Sequence, residues 1–161
     1  MARVGVINAS PLILLSRGGH LRLLTAFAEE IVVPDPVATE ILQRGPSDVT
    51  ARALEETSWL RHAPAPVVPE RVLAWGLGPG ESSVLAYALA NPGVDAVIDD
   101  LAGRKCAAAL GIPVRGALGC VLAAKQRGVI PAARPVIEDL LRGGLYLSRT
   151  VIDEALKRVG E

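Results

Sequence analysis

The sequence predicts an α/β fold in which a central, mainly parallel sheet is covered by helices on both faces. Two observations carry this. The runs Val4–Ile7, Ile31–Val33 and Ala96–Ile98 are apolar, of strand length and continuous rather than alternating, the pattern of strands buried on both sides. Helix-length segments stand between them, and strand–helix alternation along one chain is satisfied by parallel strands with crossover helices. A length of 161 residues, half of them apolar, suits one domain with its own core.

Val4–Ile7 is the first strand. It runs into Asn8-Ala9-Ser10-Pro11, where Ser10 is a good N-cap and Pro11 a good first helical residue. A helix is therefore expected over Pro11–Ser16, stopped by Gly18-Gly19. A second is expected over His20–Ala28, with Leu21, Leu24 and Phe27 on one side. After the strand Ile31–Val33, Asp35-Pro36 repeats the cap-plus-proline start, and this helix reaches Arg44. Gly45-Pro46-Ser47 breaks the chain before a helix over Asp48–Glu56 and a short strand at Trp59–Arg61. Ala63–Gly80 is rich in Pro and Gly and reads as a loop, with a helical turn over Pro69–Trp75.

A helix over Glu81–Ala90 precedes the strand Ala96–Ile98, which ends at Asp99-Asp100. A helix to Leu110, a strand at Pro113-Val114 and a helix over Leu118–Arg127 follow. The tail, Val136–Val159, reads as two helices split by Gly143-Gly144 and a short extended piece, Tyr146-Leu147. No repeat, low-complexity tract or second-domain boundary interrupts this order, so residues 1–161 are expected to form one domain.

Composition excludes several function classes. Seventeen basic residues balance 17 acidic ones, which argues against a histone-like or tail-driven nucleic-acid binder but leaves room for a local basic rim. Aromatics make up 3% of the chain, so a base-stacking surface built on Phe and Tyr is not expected. Cys106 and Cys120 fall in apolar helical patterns and are expected as buried, reduced thiols. No apolar stretch reaches spanning length and no signal-peptide layout is present, which predicts a cytoplasmic protein without membrane contact.

In open parallel sheets ligands bind beyond the carboxyl ends of the strands. Asn8 to Ser10 and Asp99-Asp100 both lie there. Glu40, next to Ile41 and three residues after Val37, borders the buried face of its helix. Glu81 shares the apolar stripe of Leu85 and Leu89. An unpaired inward carboxylate is costly, and a divalent cation is one partner that relieves it. Bland readings stand beside this one. Glu81 opens a helix and suits its dipole, Glu40 is an edge residue, and Asp100 pairs with Arg104 at i,i+4. Gly76-Leu-Gly-Pro-Gly80 fits neither a dinucleotide fingerprint nor a P-loop, no nucleophile elbow is present, and His20 and His62 lack metal-ligand spacing.

Taken in order, Val6-Ile-Asn-Ala-Ser-Pro-Leu-Ile13, Val33-Pro34 with Glu40, Leu77-Gly-Pro-Gly-Glu81, Val97-Ile-Asp-Asp100 with Gly103-Arg104, and Gly116-Ala-Leu-Gly119 resemble the PIN-domain superfamily. More narrowly they are similar to a prokaryotic VapC-like subgroup of PIN-like proteins, as is the tail ending in Gly160-Glu161. The likeness covers nearly the whole chain. It implies a PIN-like three-layer fold with a central, mainly parallel sheet, and an acidic cluster that binds Mg²⁺ or Mn²⁺ and hydrolyses RNA. Position by position, Asn8 stands at the first acidic place, Glu40 at the second, Glu81 at the third and Asp100, with Asp99 adjacent, at the fourth. Ser10 matches a hydroxyl beside the first acid, and Arg104 an arginine that contacts phosphate. Two departures stand out: Asn8 replaces an aspartate, and Ala117 stands where similar proteins often have threonine.

Three functions follow as expectations. The first is a divalent-metal-dependent endoribonuclease resembling a toxin component, with Glu40, Glu81 and Asp100 catalytic, these three with Asn8 and Asp99 on the metal, and Ser10 and Arg104 on the substrate. A small antitoxin-like protein and a second copy of the chain are its expected partners besides RNA. The second, motivated by Asn8, is a PIN-like module that binds RNA or a partner without hydrolysis. The third is an unrelated small α/β protein such as a metal-dependent phosphatase.

Overall fold

A computed structural model describes residues 3–161. Five strands form one sheet: β1 (Val4–Ile7), β2 (Glu30–Pro34), β3 (Leu60–Ala63), β4 (Asp95–Val97) and β5 (Val114–Arg115). Their order is β3-β2-β1-β4-β5 and every pairing is parallel. The expected parallel sheet is thus present, and wholly rather than mainly parallel. Val6, Ile7, Ile31, Val32, Val33, Ala96 and Val97 are all fully buried, as continuous apolar runs require.

Nine α-helices flank the sheet among the described residues: α1 (Ala9–Arg17), α2 (Asp35–Leu42), α3 (Val49–Glu56), α4 (Glu70–Leu73), α5 (Pro79–Ala90), α6 (Leu101–Ala109), α7 (Ala117–Gln126), α8 (Arg134–Arg142) and α9 (Arg149–Arg158). No helix among them is long and apolar enough to cross a membrane. Asp48 caps α3 by accepting from the amides of Thr50 and Ala51. Glu161 folds back to accept from the amides of Ala133 and Arg134, which fixes the start of α8.

Several expectations need correction. Ser10 does not cap α1. The helix starts at Ala9 with Asn8 in the extended cap position, so Ser10 lies exposed in the first turn. The same shift occurs at α2, where Pro34 is the cap and Asp35 already helical. The segment expected as a helix over His20–Ala28 is a 3₁₀ helix over Leu21–Ala26. Leu21, Leu24 and Phe27 recur every third residue, which matches the 3₁₀ repeat better than 3.6. Tyr146-Leu147 joins no sheet. Both cysteines are free and buried, as expected. His20 pairs with Asp139 at 2.9 Å and His62 with Asp35 at 2.5 Å.

Candidate active site

β1 is the centre of the sheet. The chain leaves it first towards β2 and later returns on its other side as β4, so connections diverge at the β1–β4 boundary. A crevice opens beyond the carboxyl ends at such a point. Asn8 follows β1 there, and Asp99-Asp100 follow β4. The Asn8 amide donates to the Val97 carbonyl at 3.0 Å, locking the two strand ends together.

Asn8 is 6% exposed and occupies a helix cap, yet its side chain makes no capping hydrogen bond. An asparagine at this position ordinarily accepts from the helix. Here the side chain instead borders a cleft of about 440 Å³, together with Ser10, Glu40 and Glu81. Glycine makes this approach possible. A Cβ at Gly80, in the first turn of α5, would lie 3.2 Å from Asn8 Oδ1 and 3.6 Å from Glu40 Oε2. Glu40 is itself exposed, so it borders the cleft rather than the core. That agrees with the edge reading of Glu40 rather than with an inward-facing carboxylate.

Glu81, half-buried, joins the two sides of the site. Burial pushes its carboxyl above the ordinary glutamate range; the charge of Asp100, a proton-sharing contact with Asp100 and the charge of Glu40 push it further. Asp100 is the N-cap of α6 and accepts from the Gly103 amide at 3.2 Å. A Cβ at Gly103 would sit 3.1 Å from Glu81 Oε2 and 2.9 Å from Ile98 Cγ2, so this glycine lets α5 and α6 close on the acid pair.

Asp99 stands apart from that group. Burial raises its carboxyl, while the Ala117 amide, donating to Oδ1 at 2.7 Å, and the charge of Arg104 pull it down. Arg104 therefore faces Asp99 and makes no ion pair with Asp100 among the described residues, contrary to the i,i+4 expectation. Ser10, Asp99, Asp100 and Arg104 line a second, larger groove of about 1200 Å³. Ser10 borders both cavities. Gly80, Gly103 and Gly116 entered the sequence reading as motif residues but not as spacers, and Arg17, Arg115, Arg142 and Arg158 in the larger groove were not expected there.

A family model described as a PIN domain, DUF3368, matches residues 4–161. The chain belongs to the PIN-domain family. No curated protein matches it. PIN domains have a nuclease-type fold and generally use divalent metals such as Mg²⁺ or Mn²⁺. In this PIN domain no three His, Cys, Asp or Glu side chains among the described residues close into a ready-made metal cage. The donor chemistry nonetheless suits a partly hydrated ion. Mg²⁺ keeps several waters and needs only one or two carboxylates. Glu81 and Asp100 could supply that pair, since their mutual repulsion is unrelieved by any cationic side chain in contact with Glu81.

Proposed function

We propose that this PIN domain is a divalent-metal-dependent endoribonuclease that resembles the toxin component of a VapC-like toxin–antitoxin pair. One observation carries the proposal: at the carboxyl edge of the sheet the Glu81 carboxyl is driven up by burial and then by Asp100 and Glu40 beside it. Gathering like charges in a cleft destabilises the metal-free protein, and such arrangements are typical of sites that bind a cation. Glu81 and Asp100 would hold Mg²⁺ or Mn²⁺, with Glu40 and the Asn8 amide oxygen facing the same ion. When bound, the ion would lower the pKa of a water and offset charge building on the phosphate.

The chain's own residues then position the reacting groups. The Asp100 cap holds one oxygen on the Gly103 amide, and its carboxylate also stands against Glu81. Asp99, tied to the start of α7, holds Arg104 beside the groove, where the guanidinium can meet a phosphate oxygen. Ser10, exposed between the two cavities, offers a hydroxyl to the same phosphate. An antitoxin-like partner would offset the acids with an arginine of its own.

The test is cleavage of RNA by purified protein with Mn²⁺ or Mg²⁺, and its arrest by chelator. Asp100→Ala should lower the rate by about 100-fold or more, the usual scale for losing one electrostatic element of a site. Equal cleavage by wild type and variant removes the assignment. Asn8 favours a second reading, a binding module without hydrolysis, because it supplies an oxygen but no charge. Retained RNA binding with no Mg²⁺ or Mn²⁺ uptake would select it.

A further inference from the structure

We infer that the larger groove is a track for single-stranded RNA, in which Arg17 and Arg158 hold backbone phosphates and Tyr146 stacks on a base. This rests on the ribonuclease reading of the acid cluster. The groove follows α1. Ser10, in the first turn, stands with Asp99 and Asp100, and Arg17 ends the helix, seven residues or about 10 Å further on. There the end of α8 packs on α1: a Cβ at Gly143 would lie 3.4 Å from Leu14, and one at Gly18 3.6 Å from Leu140. The chain leaving α8 therefore brings Tyr146 to the rim at this distal end, and α9 adds Arg158.

Charge selects the occupant. Of the arginines in the groove, Arg115 is spent on Asp95 at 3.3 Å and on the Phe27 ring at 4.2 Å, and Arg142 on Asp139. Arg104 faces Asp99, whereas Arg17 and Arg158 have no acidic partner within ion-pair distance among the described residues. Free cations that lead away from a cluster of acids suit a polyanion whose scissile phosphate sits on a metal and whose flanking phosphates do not. An acidic peptide would be repelled at the acid end. Tyr146 is 92% exposed, which leaves both faces of its ring open to a base. Paired bases are stacked within a duplex and cannot use it, so the track favours a single strand.

The experiment measures binding of a labelled single-stranded RNA oligonucleotide to the full chain in chelator, where cleavage is silent. Tyr146→Ala should weaken binding by about 5- to 150-fold, the range for losing one stacked base, whereas Tyr146→Phe should keep it. Arg17→Ala and Arg158→Ala should each lower the slope of affinity against salt by about 0.7. Unaltered binding by Tyr146→Ala, equal affinity for duplex RNA, or full competition by a polyglutamate peptide would overturn the track. If binding ignores these three residues while Mn²⁺-dependent cleavage still requires Asp100, the track alone falls. If the three residues govern binding but cleavage never occurs, the catalytic reading falls and the groove stands as a binding surface.

Discussion

Gly116→Ala adds one methyl group at a place where the structure has no room for it. The new Cβ would lie 2.7 Å from Asp99 Oδ1 and 3.0 Å from Arg104 Nη1. Gly116 has φ −95° and ψ −175°, extended backbone that alanine also adopts, so the cost is contact and not strain. The arginine tip can swing away. Asp99 cannot move without releasing the Ala117 amide, whose hydrogen bond to Oδ1 is 2.7 Å long. Ala117 is the first residue of α7 and its amide has no partner within the helix. Losing a hydrogen bond to a charged acceptor costs about 1.5–3 kcal/mol. At ~2–4 °C per kcal/mol for a domain of this size, Tm should fall by roughly 3–12 °C. The effect should also depend on pH. Burial already lifts the Asp99 carboxyl above its ordinary range, so its ionisation opposes folding. Without the amide it rises further, and the variant loses more than wild type as pH climbs through the raised value. The gap should therefore be widest near neutrality and narrow below the ordinary aspartate range. Thermal unfolding from pH 3 to 7.5 measures this. Equal Tm values at pH 7 would refute the account of Asp99 as the anchor of the β4–α7 junction.

Two further perturbations act on the acid cluster. Glu81→Gln should stabilise the metal-free protein at neutral pH by less than about 1 kcal/mol, since the carboxyl is partly solvated, while abolishing cleavage. Because the Glu81 carboxyl is raised in the folded protein, the advantage should vanish in acid, where the wild-type group is neutral; scanning calorimetry in chelator would read it, and a loss of stability at pH 7 would contradict it. Asn8→Asp should tighten Mn²⁺ binding roughly tenfold by adding a charge beside the ion. It should also lower the Tm of the metal-free form, and titration calorimetry showing unchanged affinity would remove Asn8 from the proposed donor set.

Much of the fold was legible because burial on both faces leaves a plain mark. Val6-Ile7, Ile31–Val33 and Ala96-Val97 could hardly be anything but central strands, and the polar residues after two of them pointed to the β1–β4 crevice. Cap positions were less legible. Asn8 and Ser10 are both good caps, and only the bond from Asn8 to Val97 across the sheet decides between them. Asp100 shows why helix-start and site readings need not compete, for it caps α6 and also presses on Glu81. Gly80, Gly103 and Gly116 stood in the motifs behind the resemblance, but their spacing role was not legible, since what each excludes belongs to another element: Asn8 and Glu40 for Gly80, Glu81 for Gly103, Asp99 for Gly116. The groove arginines were hidden for the same reason, as Arg17, Arg142 and Arg158 come from three different helices.

The most direct measurement is diffraction from crystals soaked in Mn²⁺, with the ion located by its anomalous signal. A peak is expected between the Glu81 and Asp100 carboxylates, within coordination distance of an oxygen of each, on the side of the cleft that Asn8 and Glu40 border. A peak held by other side chains, or a fully loaded crystal with none between those two, would contradict it.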